Sequence, residues 1–136
     1  MTPFRLLLNS SGLSIREAAD FLDVRFNTIE SWSSGRRSIP DGAVAQLLTL
    51  IDRQGRAAQE ALSAIREGVA EHGVLPEEIE IGLSTDDHEA RGLGWPTVSA
   101  HAAVLRRLIE IAPEDIRDRM VIVPRGSTLA TAAAEL

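Results

Sequence analysis

One run of the chain carries residue types suited to gripping a nucleic acid: Arg25-Phe26-Asn27-Thr28-Ile29-Glu30-Ser31-Trp32-Ser33-Ser34, then Arg36-Arg37 after Gly35. Asn can pair with adenine through two hydrogen bonds, and Phe can lie on a thymine methyl group. Arg holds phosphate, which positions a protein on a duplex without reading its sequence. With Val24, Ile29 and Trp32 turned inward, the free face of a short helix carries Arg25, Phe26, Asn27, Glu30, Ser31 and Ser34.

The residues before this run supply a support for it. Ser14 followed by Glu17 forms a capping box, which starts a helix at Ile15. Ala18, Ala19 and Leu22 recur at helical spacing, and Asp23-Val24 breaks the run after two turns. Gly35 stands where a left-handed C-terminal residue belongs. The order is helix, tight turn, helix.

In Ala18-Ala19, Leu22, Val24, Thr28-Ile29, Trp32, Gly35 and Pro40, this unit resembles the helix-turn-helix of the phage repressor and Cro-like family, also called the Xre family. The resemblance implies that the second helix enters the major groove, so that Phe26, Asn27 and Ser31 read bases with Arg25 at the entrance. Ser14, Thr28, Ser34, Arg36 and Arg37 then fall to the DNA backbone. Two positions depart from the family pattern. Asp23 replaces the Gly that usually supplies a positive φ at the turn, which Asp tolerates better than most residues. Ser33 replaces the common acidic residue after the Trp, so no contact carries over there. A plain helical hairpin that packs a core and touches no DNA is the competing reading.

Charge distribution bears on the choice. The whole chain of 136 residues has a formal net charge of −6, which opposes phosphate binding if spread evenly. It is not spread evenly. Residues 1–58 hold seven Arg and six acidic residues, a net +1, whereas residues 59–136 hold seven Arg and fourteen acidic residues, a net −7. All 14 basic residues are Arg; this suits bidentate phosphate recognition, though a GC-rich coding bias is the weightier explanation. Cysteine is absent, which excludes disulfides and thiolate metal sites. Hydrophobic residues at 44% are ample for a packed core, and aromatics at 4% leave that core to Leu, Ile, Val and Ala. No apolar run reaches a bilayer span and no signal-peptide pattern opens the chain, so a cytoplasmic protein is expected.

Elsewhere the chain reads as mainly α (α+β): a lambda-repressor-like helical DNA-binding domain over 1–73, then a small α/β dimerisation domain over 74–136. Thr2-Pro3 starts the first helix, which stops near Gly12. Pro40 starts a helix predicted to run unbroken or kinked from Asp41 to His72, through Gly55, until Gly73 ends it. Trp-x-x-Gly-x-x-x-Ile-Pro-Asp before such a helix is also similar to a narrower group of two-domain phage and bacterial regulators, some associated with anti-CRISPR operons. Glu78 to Leu83 alternates as a strand, Met120 to Val123 is a second, and Trp95-Pro96 opens a helix that Pro113 closes. Asp86 to Glu89 and Gly92 to Gly94 read as loops, and the Ala/Thr-rich tail from Arg125 as frayed.

The three histidines, His72, His88 and His101, lack i, i+4 spacing, so no metal is expected beside Asp86, Asp87 and Glu89. No nucleophile elbow, P-loop or dinucleotide motif is present, so neither catalysis nor a cofactor is expected. The function expected is that of a dimeric repressor on an inverted-repeat operator. The dimer is assigned to Trp95, Val98, Ala102, Leu105 and Ile109, because the helix carrying them has more apolar faces than two strands can cover. The alternative is an antitoxin-type module that binds a protein partner and regulates its own operon.

Overall fold

The computed structural model describes residues 1–127 of the chain. Helices α1 (Pro3–Ser11), α2 (Ile15–Phe21), α3 (Phe26–Ser34) and α4 (Asp41–His72) come first. Strand β1 (Ile79–Leu83), helices α5 (Asp87–Gly92), α6 (Val98–Ile111) and α7 (Glu114–Arg117), and strand β2 (Met120–Pro124) follow. Arg125–Ser127 closes the described chain as a single 3₁₀ turn where fraying was expected; the rest of that expectation lies outside the described residues. The fold is mainly helical with a small parallel sheet, in which Ile79 pairs with Met120 and Leu83 with Pro124. Parallel pairing requires a crossover, and α5, α6 and α7 form it.

Local chemistry explains the first three helices. Thr2 Oγ1 accepts the Arg5 amide at 3.2 Å and donates to the Ser33 carbonyl at 3.0 Å, so the start of α1 is fastened to the end of α3. Ser14 Oγ accepts the Glu17 amide at 3.1 Å while Glu17 Oε1 accepts the Ser14 amide at 2.9 Å, closing the capping box. Asp23 turns the chain with φ 54, the one positive φ outside glycine among the described residues. Ile29 and Trp32 are buried under α3, and the Phe4 and Trp32 rings meet edge to face at 6.0 Å.

Helix α4 passes through Gly55 without a break over 32 residues, and Gly73 with φ 75 ends it. Its hidden stripe is Leu47, Leu50, Gln54, Ala58 and Leu62. This stripe serves both halves of the chain. One hydrophobic cluster runs from Phe4, Leu8 and Ile29 through Leu50 and Leu62 to Trp95, Leu105 and Ile116. The division at residue 73 coincides with the end of α4, yet packing crosses it. At the crossing, fully buried Gln54 donates from Nε2 to the Ser11 carbonyl at 2.8 Å and to the Ala100 carbonyl at 3.0 Å. Gly12, with φ 81, lies so close to α6 that an added Cβ would sit 2.4 Å from the Ser99 carbonyl oxygen.

Three expectations need correction. Residues 87–92 are a helix: Asp86 Oδ1 accepts the Glu89 amide at 2.8 Å as an N-cap, and Ala90 is fully buried. Six residues are too few for periodicity to reveal. Helix α6 begins at Val98, behind Thr97 as its N-cap, whereas Trp95-Pro96 belongs to the preceding turn. Lastly, α6 does not lack cover within one chain, because α4 packs along it. Trp95 and Leu105 are already buried, Val98 and Ala102 are half-buried, and of the five only Ile109, at 36%, is exposed.

Candidate nucleic-acid interface

The short turn at Asp23 holds α3 against α2 and fixes which side of α3 meets solvent. Arg25 has no side-chain cap bond and, with Phe26 and Asn27, is exposed at the start of the helix. Thr28 and Ser31 are half-buried on its flank. Asn27, Ser31 and Ser34 follow at i, i+4, i+7 and so share one side. Buried Ile29 and Trp32 anchor the opposite side. The structure therefore gathers Arg25, Phe26, Asn27, Ser31 and Ser34 on one short helix.

Beyond α3 the chain tightens again. Ser34 Oγ donates to the Ser31 carbonyl at 3.3 Å and accepts Arg36 Nε at 3.2 Å, while the Arg37 amide donates to the Ser31 carbonyl at 3.2 Å. Arg36 and Arg37 are exposed. Ser14 is exposed at the start of α2, with its oxygen already occupied by the capping box; its hydroxyl hydrogen has no partner among the described residues. Compared with models of known protein families and with curated proteins, the chain matches none.

Chemically, the face offers an amide for bidentate pairing, hydroxyls, one ring and exposed guanidinium groups, with half-buried Glu30 on α3 itself and exposed Asp20 and Asp23 on the preceding helix and turn. Glu or Asp is the side chain that accepts from cytosine N4, so Glu30 is not out of place on a base-reading surface. No group of three or more His, Cys, Asp or Glu among the described residues is arranged to hold a metal ion. No helix among them is long and apolar enough to cross a membrane.

Two features of this region were not foreseen from sequence. Glu17 Oε1 also accepts Ser99 Oγ at 2.8 Å, which ties the support helix α2 to α6 across 82 residues of chain. Arg16 on α2 lies over the Phe26 ring, its guanidinium carbon 5.2 Å from the centroid. The exposure of Arg16 was legible, since Ala18 and Ala19 set the buried face of α2. Its pairing with a residue of the next helix was not, because only the folded turn brings the two together.

Proposed function

We propose that this protein is a sequence-specific DNA-binding regulator of the helix-turn-helix kind, acting as a homodimeric repressor. Helix α3 enters the major groove, Arg25, Phe26, Asn27 and Ser31 face base edges, and Arg36 and Arg37 hold phosphate. The observation that carries this reading is the division of α3 into a buried Ile29–Trp32 side and an exposed side of base-reading residue types. The turn that presents it is held at φ 54 by Asp23. One such module specifies few base pairs. Two of them, about 34 Å apart on a two-fold axis, read an inverted repeat and gain affinity through effective concentration.

Selection from random duplexes tests the reading directly: a recovered palindrome with half-sites one turn apart supports it, and failure to enrich any sequence overturns it. Within the selected site, Asn27→Ala should relax preference at one position and cost about 1–3 kcal/mol. Arg37→Ala should weaken all sequences alike and flatten the salt dependence.

Sedimentation of the full chain tests the dimer. Leu105, expected at the interface, is part of the core, so its replacement would report on folding. Among the described residues of 74–136, the large apolar side chains that remain exposed are Val74, Ile109, Ile111 and Ile122. An antitoxin-type module remains the second reading, favoured by one observation: an open apolar groove of about 540 Å³ between the end of α4 and β1, lined by Ile65, Val69, Val74, Pro76 and Ile79 among others.

A further inference from the structure

Two arginines in the described chain stack on aromatic rings, and they differ in what their edges do. Arg53 lies over Trp95 at 4.9 Å and also donates from Nη2 to the Gly94 carbonyl at 2.8 Å, so it joins α4 to the turn before α6. Arg16 lies over Phe26 at 5.2 Å and has no hydrogen bond or ion pair to another described residue. Stacking engages the face of a guanidinium and leaves its in-plane N–H donors pointing outward. The other well-anchored arginines use those donors internally: Arg5 on Ser33 Oγ, Arg107 on Ser10 Oγ, Arg119 on the Pro76 carbonyl. Arg25 and Arg37 are exposed and their side chains bond to no described residue.

We propose that Arg16 is a DNA phosphate contact and that Phe26 is the residue that aims it. This deepens the reading of α3 as the helix in the groove and rests on that reading. The nearest acid in sequence does not neutralise Arg16, because Glu17 Oε1 is turned toward the Ser14 amide and Ser99 Oγ. Phe26, at 38% exposure, is the one exposed aromatic ring among the described residues. A guanidinium over one of its faces lowers the cost of that exposure and restricts the rotamers of a long side chain before any ligand arrives. Phe26, counted above among the residues facing base edges, is on this proposal a positioning residue first, which leaves Arg25, Asn27 and Ser31 to read bases.

The test measures affinity against salt concentration for the full-length protein on the duplex recovered by selection and on random duplex. Arg16→Gln should weaken both alike and reduce the slope of log K against log salt by about 1. Phe26→Leu should do nearly the same, the Arg16→Gln/Phe26→Leu double variant should be little worse than either, and Phe26→Tyr should restore binding. All four should unfold at the wild-type denaturant midpoint. If Arg16→Gln binds with wild-type affinity and slope while the wild type still selects a site, the proposal fails and the DNA reading stands. If Phe26→Leu instead changes the preferred base at one position with the slope unaltered, Phe26 is a reader and the aiming role is wrong. Failure of the wild type to select any duplex removes the underlying reading itself.

Discussion

The seam between α1, α4 and α6 and the outer face of α3 use the same polar chemistry to opposite ends. In the seam, Arg106 and Arg107 donate to the Ser10 carbonyl, Gln54 donates to two carbonyls, and Ser99 donates to Glu17. Those donors have partners within the chain, and both bonds from Gln54 are buried. On the α3 face, Arg25, Asn27 and Arg37 have side chains that bond to no described residue. Polar groups buried in a fold must be paired to be tolerated, whereas polar groups kept for a ligand must be left unpaired at a surface. Stability and recognition should therefore respond to separate substitutions.

The largest expected effect lies in the seam at Gly12. Alanine there must adopt a left-handed backbone with φ 81 and place its Cβ against the Ser99 carbonyl at 2.4 Å, a rigid neighbour. Left-handed strain and overpacking together come to about 2–5 kcal/mol, so Gly12→Ala should lower the denaturant midpoint sharply or prevent folding. A variant as stable as the wild type would mean that α1 and α6 do not approach as closely as described.

Gln54→Leu comes next. It keeps the volume but deprives the Ser11 carbonyl of its donor in a fully buried place, a loss of about 1–3 kcal/mol in urea denaturation. The loss is moderated because Gln54 Oε1 is itself buried without a partner, and leucine removes that orphan. If Gln54→Leu unfolds no more readily than the wild type, the carbonyls are served in some other way and the seam is held by apolar packing alone.

On the opposite side of the comparison, Asn27→Ala and Arg37→Ala should leave the denaturation midpoint within about 0.5 kcal/mol of wild type, since both side chains are exposed and unengaged. Their whole effect should appear in DNA binding. A clear loss of stability in Asn27→Ala would place it among the structural residues and weaken the proposed division of α3.

How much of this was legible in the chain depends on how far apart the interacting groups are in sequence. Thr2-Pro3, the Ser14/Glu17 capping box, the turn at Asp23 and the end of α4 at Gly73 are local signals, and each element begins or ends where those residues place it. Both strands were legible from alternation and from the β-branched run, but their parallel pairing was not. Candidate readers were visible because burial on a helix follows its period. The cover of α6 by α4, the Gln54 bridge and the Arg16–Phe26 stack were invisible, because each joins residues that no repeat or spacing relates. The α6 expectation failed for that reason: counting its apolar faces was sound, but α4 had been assigned wholly to the other half.

The smallest expected effect is a pH dependence seated in the C-terminal half. His101, 8% exposed, places Nδ1 3.1 Å from the Ser84 amide and 3.0 Å from Ser84 Oγ. An amide can only donate, so Nδ1 accepts and the neutral ring carries its proton on Nε2. Burial is the main force holding its pKa below the ordinary histidine value of 6.5, helped by the charge of Arg125 and opposed by that of Glu89. A base whose pKa is depressed by folding gives its full stabilisation above the unfolded value. As pH falls below about 6.5 the unfolded chain takes up the proton first, so stability declines until the folded value is reached and then levels off. His101→Gln should flatten that decline: the midpoint difference between about pH 7.5 and pH 5.5 should be smaller in the variant than in the wild type. Affinity for a selected duplex, measured at saturating stability, should not share the effect, because His101 is buried and bonds to Ser84 and to no residue of α3. Equal pH dependence in the two proteins would show that His101 takes up its proton within the fold as readily as in the unfolded chain, against the pairing with Ser84.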